Sequence, residues 1–227
     1  MENFKFTNSY PGRGIVIGMT PDGKNMAQVY WIMGRSENSR NRIFVMENGF
    51  VKTQAFDIVK LSDPSLVIYY AAKHYDNIHI VTNGDQTDTI YEMKSFEEAL
   101  NTRTFEPDSP NYTPRISGIV DFDDKYMYKL SILKSIGNNP DHCVRQYFNY
   151  ENPIAGAGHC IHTYECDSNP LKSFNGEPYI APLFDCMDKT ANFFWDKLNE
   201  ENRVSLFVKF INIDTKETKI KIINKNI

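Results

Sequence analysis

The chain has 227 residues, of which 41% are hydrophobic, and it carries a formal net charge of −4. This length is enough for one substantial hydrophobic core, and we expect a single domain over residues 1–227. The acidic balance argues against a general nucleic-acid binder or an anionic-membrane binder, because such proteins normally present a basic face.

The sequence contains no signal-peptide pattern and no apolar run near the 18 residues that a membrane-spanning helix needs. Its cysteines, Cys143, Cys160, Cys166 and Cys186, are irregularly spaced and do not suggest a disulfide framework. We therefore expect a soluble, reduced, cytoplasmic protein without a membrane partner.

Apolar segments bounded by turn residues recur along the chain and predict β-strands. They cover residues 14–19, 27–33, 42–46, 49–56, 66–71, 78–82, 115–122, 126–133, 143–150, 160–164, 204–213 and 218–224. Connections such as Asp22-Gly23 and Asn48-Gly49 are typical of hairpin turns. Neighbouring strands joined by short turns indicate antiparallel sheets.

Two helices are predicted among these strands. Ser95 followed by Glu98 has the spacing of a capping box and indicates a helix over residues 95–103. A second helix from about Asp185 to Glu200 has one apolar face. Because strands outnumber helices, we expect an α+β fold in which two antiparallel sheets are stacked and the helices lie outside.

Arg35, Arg40 and Arg42 follow closely on the apolar strand 27–33. The planar guanidinium of arginine suits bidentate contact with phosphate or carboxylate. A local positive cluster in an acidic chain therefore predicts a pocket for a small anion. The alternative interpretation is a solvated loop in which Glu37 pairs with an arginine.

Other polar segments also qualify as ligand contacts. The turn at residues 10–14 is flanked by glycines, so its backbone amides could approach a ligand closely. Residues 83–88 follow a strand without resuming alternation, which favours a ligand-facing loop over a simple hairpin turn. Glu106 and Asp108 lie in a loop stiffened by prolines at 107, 110 and 114.

Histidines and cysteines cluster between His159 and Cys166. A zinc site there is disfavoured, because His159 and Cys160 are adjacent on a predicted strand and point to opposite faces, and no Cys-x-x-Cys pair is present. A thiol nucleophile remains an alternative, although buried structural cysteine is the more common state.

Separated sequence blocks resemble the IMP cyclohydrolase family of the archaeal type, in its longer bacterial branch. In chain order they are YPGRGI, GRSENSRNR, TNGDQTD, EPDSPNYTPRISG and GHCIHTYECDSNPLKSFNGEP, which span residues 10–178. The resemblance implies a four-layered αββα sandwich like that of the N-terminal nucleophile hydrolases. The sequence starts Met1-Glu2-Asn3 and offers no N-terminal nucleophile there, so amidohydrolase chemistry should not be inferred from the fold.

The resemblance also implies a reaction. The family closes the purine ring of 5-formamidoimidazole-4-carboxamide ribonucleotide with loss of water to give IMP, the last step of de novo purine biosynthesis. Such enzymes are hydrolases acting on carbon–nitrogen bonds of cyclic amidines, and this chemistry requires no metal or organic cofactor. By match to the family, Arg40 and Tyr70 are expected to polarise the formyl oxygen, and Glu106 to orient or deprotonate the carboxamide. The adjacent Tyr69 is the alternative match for the tyrosine.

The expected partner is a small-molecule ribonucleotide. Its implied contacts are Arg13, Arg35, Asn38, Asn83, Gly84, Asp85, Thr87, Asp88, Arg115, His159 and His162. The arginines at 13, 35 and 115 are expected at the 5′-phosphate, and Asn83, Asp85, Thr87 and Asp88 at the base or ribose. Both histidines could instead be packed strand residues. Exposed strand edges of such a sandwich favour a homo-oligomer.

Two other functions stay open at this point. A protein of the same fold could bind a purine ribonucleotide without catalysis. Alternatively, Cys160 and a histidine could act as a thiol pair in a different hydrolase.

Overall fold

Two antiparallel β-sheets face each other across an apolar core in this computed structural model, which describes residues 6, 9–61 and 64–227. The strands are Gly14–Met19 (β1), Asn25–Met33 (β2), Arg42–Glu47 (β3), Phe50–Ala55 (β4), Tyr70–Tyr75 (β5), Ile78–Thr82 (β6), Arg115–Asp121 (β7), Tyr128–Ser135 (β8), Cys143–Tyr150 (β9), Ala157–His162 (β10), Tyr179–Pro182 (β11), Arg203–Asn212 (β12) and Thr218–Asn224 (β13). The helices are Glu37–Arg40 (α1), Gln86–Met93 (α2), Phe96–Asn101 (α3) and Met187–Lys197 (α4), with a 3₁₀ helix at Ile58–Lys60.

The two sheets differ in how they are assembled. The six-stranded sheet has the order β11-β10-β1-β2-β12-β13, whereas the seven-stranded sheet runs from β3 to β9 in chain order. A β-bulge interrupts the pairing of β4 with β5 between Val51 and Lys52. Because side chains alternate between the two faces of a strand, this irregularity decides which residues near the start of β5 point inward.

Strand β2 is covered by apolar side chains on both of its faces. Met26, Tyr30 and Ile32 pack into the core between the sheets, whereas Val29 and Trp31 pack on the opposite side. A strand covered on both faces reads as a nearly continuous apolar run, which is the pattern in the sequence.

Helices cover the outer face of each sheet. Ala191 and Phe194 of α4 pack with Trp31 against the six-stranded sheet. Ile90 of α2 and Leu100 of α3 belong to an apolar cluster on the seven-stranded sheet. The layers therefore follow the order helix, sheet, sheet, helix, and the predicted α+β sandwich of antiparallel sheets is confirmed. The likeness to N-terminal nucleophile hydrolases stays a prediction, and Met1-Glu2-Asn3 lies outside the described residues.

Several local predictions are wrong. The strand expected at 66–71 begins only at Tyr70. Residues 83–88 form a loop only as far as Asp85, because α2 begins at Gln86. The capping box at Ser95 and Glu98 does not form: Ser95 is the N-cap of α3 but makes no side-chain capping hydrogen bond. Burial of Phe96, Ala99 and Leu100 holds α3 in its place instead.

Within the part of the chain that the structure describes, no helix is both long enough and apolar enough to cross a membrane.

The contact between α4 and its sheet can be tested at Phe194, which is fully buried and stacks on Trp31 with ring centroids 6.2 Å apart. We expect Phe194→Ala to lower the free energy of unfolding by about 3–5 kcal/mol, because it leaves a cavity between helix and sheet. Urea denaturation followed by circular dichroism measures this loss. The half-buried neighbour Phe193 is the control, and an equal loss in Phe193→Ala would contradict the packing described.

Candidate active site

The candidate site lies at one end of the sandwich, where several strands begin or end together. Arg13 immediately precedes β1 and Arg115 is the first residue of β7. Asn83 follows the last residue of β6, and Thr82 of that strand pairs with Ser117 of β7. Strand ends from both sheets therefore bring side chains that are distant in sequence to the same place.

A buried ion pair is at the centre of this region. Nη2 of Arg13 lies 2.8 and 2.6 Å from the two carboxylate oxygens of Glu106. The two residues are 9% and 2% exposed. Nδ2 of Asn83 approaches the same carboxylate at 3.4 Å. Buried charges of this kind require both a partner and further hydrogen bonds, because their desolvation is costly.

Glycines let the backbone hold Arg13 in position. The amide of Arg13 donates to Oγ1 of Thr163 at 3.1 Å, and the amide of Thr163 donates to the Arg13 carbonyl at 2.9 Å. A Cβ at Gly12 would lie 2.3 Å from Thr163 Oγ1, and one at Gly14 would lie 1.9 Å from the Trp31 ring. Only glycine fits at these positions, so the glycine-flanked turn is required by close packing.

The loop that carries Glu106 is closed by its own hydrogen bonds. The Glu106 amide donates to the carbonyl of Thr113 at 2.8 Å, and the Thr113 amide donates to Asp108 Oδ1 at 2.6 Å. The Thr113 hydroxyl is 2.6 Å from that of Tyr164 and also contacts the Asp108 carboxylate. These bonds fix the loop against the chain that follows β10.

A pair of buried tyrosines and a second arginine lie beside the ion pair. The hydroxyls of Tyr30 and Tyr69 are 2.7 Å apart, and both residues are at most 5% exposed. Arg42 is 3% exposed, and its Nε donates to the carbonyl of Ser39 at 2.8 Å. Arg42 interacts electrostatically with both tyrosines and with Arg13. These side chains and Glu106 therefore form one cluster, which we call the Arg–Tyr–Glu cluster: Arg13, Tyr30, Arg42, Tyr69 and Glu106.

The charge of the Arg–Tyr–Glu cluster is not balanced. Arg13 and Arg42 bring two positive charges to the cluster and Glu106 brings one negative charge. Arginine stays protonated in proteins even where burial lowers its pKa, as it does for Arg42. Burial raises the pKa of the Tyr69 hydroxyl, which therefore stays neutral. Burial also raises the pKa of the Glu106 carboxyl, a rise that Arg13 opposes. The cluster can thus accept a negative charge at its arginines and exchange a proton at its carboxylate.

A polar network supports the cluster from the side of α2. Asn83 donates to the carbonyl of Pro114 at 2.9 Å and accepts from the amide of Ile116 at 2.8 Å. Arg115 donates to Asp85 Oδ1 at 2.6 Å and to Gln86 Oε1 at 2.8 Å. Nη1 of the Arg115 guanidinium therefore already has two protein partners.

The structure separates two of the predicted catalytic residues from Glu106. Arg40 is exposed and donates to the Gly34 carbonyl at 2.9 Å and to Asn202 Oδ1 at 2.8 Å. Tyr70 donates to Glu47 at 2.5 Å, and Lys73 Nζ lies 4.1 Å from its ring centroid. Arg42 and Tyr69, which are close to them in sequence, belong to the Arg–Tyr–Glu cluster.

The predicted substrate contacts are also divided. Arg13, Asn83, Gly84, Asp85 and Arg115 lie at the cluster or in the network beside it.

The other predicted contacts make different interactions. Thr87 hydrogen-bonds Thr82, Asp88 pairs with Lys73, and Asn38 lies within α1.

Arg35 lies nearer to the surface than these residues. It pairs with Asp167 at 2.7 Å, and its guanidinium carbon is 5.1 Å from the ring centroid of Tyr10. The Tyr10 ring stacks on Tyr164, whose hydroxyl contacts the Glu106 loop through Thr113. Arg35 is therefore linked to the cluster through aromatic side chains.

The two histidines occupy packed positions. Nδ1 of His159 is 2.6 Å from the Tyr128 hydroxyl, and the ring stacks on Tyr150. His162 packs against Phe174, and burial lowers its pKa to about 4, so its ring is neutral. Among the described residues, no group of His, Cys, Asp or Glu side chains is placed to hold a metal ion.

The residues proposed from the sequence as catalytic or substrate-binding do not include Tyr30, Arg42, Thr113 or Tyr164, although Arg42 is one of the three arginines predicted to hold an anion. Tyr30 lies inside an apolar strand, and only the structure shows that its hydroxyl contacts the hydroxyl of Tyr69. Arg42 belongs to the arginine-rich segment, but its spacing alone does not show that β3 carries it inward at its first residue.

These features define an α+β sandwich protein with a buried cluster of arginine, tyrosine and glutamate side chains at one end of its two sheets. A family model described as IMP cyclohydrolase-like protein matches residues 10–217, and the chain belongs to this family. The chain is 32% identical over 181 residues to IMP cyclohydrolase of Methanopyrus kandleri, covering 74% of this chain and 83% of that protein. It is 31% identical over 124 residues to IMP cyclohydrolase of Methanocaldococcus jannaschii, covering 52% and 60% respectively. The predicted family is confirmed.

The buried ion pair makes a prediction for stability. Arg13→Met should lower the free energy of unfolding by about 3–5 kcal/mol, because it leaves Glu106 buried without a counter-charge. The double variant Arg13→Met/Glu106→Gln should recover much of this loss. Urea denaturation of the two single variants and the double variant measures the coupling.

Arg35→Met is the matched control, because its pair with Asp167 is more than a third exposed. Such a pair contributes about 0–1 kcal/mol. Equal losses at Arg13 and Arg35 would show that the buried pair has no special role.

Proposed function

We propose that the chain closes the purine ring of 5-formamidoimidazole-4-carboxamide ribonucleotide, with loss of water, to give IMP. Its family makes it a hydrolase that acts on the carbon–nitrogen bonds of cyclic amidines. The observation that carries the proposal is the Arg–Tyr–Glu cluster, in which Arg13 and Glu106 come from blocks that resemble the family and Tyr69 and Arg42 lie beside them.

The reaction sets clear physical demands. The carboxamide nitrogen attacks the formyl carbon within one molecule, so most of the rate enhancement must come from holding the formamide in its reactive conformer. A donor must stabilise the charge that develops on the formyl oxygen. A base must take the amide proton, and an acid must help water to leave.

The cluster can meet these demands with groups already in place. We assign Tyr69 and Arg42 to the formyl oxygen, since a neutral hydroxyl and a buried guanidinium are both hydrogen-bond donors. We assign Glu106 to the carboxamide proton. Burial raises the pKa of the Glu106 carboxyl above its usual value, which suits a group that both takes and returns a proton. Arg13 holds the carboxylate in place.

The 5′-phosphate needs a cation nearer to solvent. Arg35 fits this role, because its side chain is 36% exposed and its guanidinium lies over Tyr10. A phosphate would compete with Asp167 for this guanidinium and would win through its higher charge. Arg115 is a weaker candidate, because it is buried and its Nη1 already donates to Asp85 and Gln86.

The thiol alternative is disfavoured by the environment of Cys160. This residue is fully buried, and burial raises the pKa of its thiol to about 12, so little thiolate exists at neutral pH. The alternative of a non-catalytic nucleotide-binding protein predicts binding of the substrate without turnover.

The test is an absorbance assay of IMP formation from 5-formamidoimidazole-4-carboxamide ribonucleotide. We expect turnover by the wild-type protein and a fall in kcat of about 10²–10⁴-fold in Glu106→Gln, because the proton-transfer group is lost. Binding of the nucleotide without turnover in the wild-type protein would support the non-catalytic alternative instead.

Neighbouring residues provide matched pairs for the site assignment. Tyr69→Phe and Arg42→Met should each lower kcat by about 10²–10³-fold, since each removes a donor to the formyl oxygen. Tyr70→Phe and Arg40→Met should leave kcat close to wild type. The reverse pattern would return the catalytic roles to Tyr70 and Arg40, and unfolding curves of all four variants exclude loss of fold as the cause.

A further inference from the structure

A second polar layer crosses the interior between the sheets, away from the Arg–Tyr–Glu cluster. In the six-stranded sheet Lys209 pairs with Gln28, and in the seven-stranded sheet His74 pairs with His79. The two rows face each other, because Nε2 of Gln28 donates to the carbonyl of His79 across the core at 2.9 Å. Gln28 is two residues from Tyr30 on β2, which is roughly 7 Å along the strand.

This layer contains polar groups that have no partner. Gln28, His79 and Lys209 are 0%, 2% and 2% exposed. Neither ring nitrogen of His79, nor Oε1 of Gln28, has a hydrogen-bond partner in the described part of the chain. Lys209 forms no ion pair with any acidic side chain of the described residues. Burial disfavours the charged form of its amino group and so lowers its pKa. Unpaired polar atoms at this depth are unusual in a folded protein.

The charged groups around the layer are all of one sign. Burial lowers the pKa of His79 to about 2. Electrostatic repulsion from Lys209 of β12, His74 of β5 and Lys216 of the turn after β12 contributes to this shift. Burial lowers the pKa of Lys209 to about 7. The nearest acidic residue on the adjacent strand β7, Asp121, pairs with Ile78, so its side chain points to the opposite face from His79.

We propose that Lys209 and His79 bind a small monovalent anion of the size of chloride or formate between the two sheets. The Lys209 ammonium and the one N–H of a neutral His79 ring are the donors. The side-chain amide of Gln28 holds the His79 backbone in place by donating to the His79 carbonyl. The anion supplies the negative charge that the protein does not provide at this position.

The chemistry of the layer favours an anion over water alone. Water can satisfy hydrogen bonds, but it cannot neutralise a buried ammonium group, whose burial without a counter-charge is costly. The space is limited because the sheets are about 10 Å apart and the flanking core is apolar. Bulky anions such as gluconate are therefore excluded.

Thermal unfolding at constant ionic strength tests this site. Sodium gluconate is replaced stepwise by sodium chloride or sodium formate at pH 7.5. We expect the wild-type Tm to rise by about 3–5 °C when the small anion reaches ten times its dissociation constant. Lys209→Met should lose this response, whereas Lys219→Met, at an exposed position of β13, should keep it. Equal responses in the wild type and Lys209→Met would overturn the proposal.

A second measurement does not depend on the variants. Crystals of the wild-type protein grown in sodium bromide should show an anomalous peak between Lys209 Nζ and the His79 ring. Binding should also take up protons from a weakly buffered solution at pH 8, because the anion favours the charged form of Lys209. Absence of the peak at saturating bromide, with identical Tm values in chloride and gluconate, would identify Lys209 as a neutral amine without a ligand.

Discussion

The buried pairing of Arg13 with Glu106 is the constraint on which the candidate site depends. It joins the residue that precedes the first strand of one sheet to the loop that leads into β7 of the other. Neither charge could remain at this depth alone, so the surrounding backbone must hold both in register. The contacts of Thr163 and Thr113 do this, because each closes a loop at one end of the pair.

The same pairing sets the electrostatic character of the Arg–Tyr–Glu cluster. Glu106 neutralises one arginine, and Arg42 is left as a buried positive charge beside two neutral hydroxyls. An incoming anionic or polarised oxygen therefore meets donors that are already oriented and that need no reorganisation. Family membership and geometry agree here, because the blocks that resemble the family supply the ion pair around which the other groups are arranged.

Much of the fold could be predicted from the sequence, since alternation and hairpin turns identify strands without tertiary information. The sequence blocks also pointed to Arg13, Asn83 and Glu106, which lie together in the structure, and their roles stay predictions. The inward face of Arg42 and Tyr69 could not be predicted, because it depends on a short helix and a bulge. Lys209 was hidden for a related reason: within the apolar segment 204–213 a single lysine suggests an exposed position, yet both faces of β12 are covered.

The bulge between β4 and β5 has a consequence for how this family can vary in sequence. It sets which of two consecutive tyrosines enters the core, so a single-residue insertion or deletion there would exchange Tyr69 for Tyr70 at the pocket. Chain length at this point is therefore under stricter control than side-chain identity. An alignment of relatives that opens a gap beside these tyrosines would pair residues on opposite faces of the sheet.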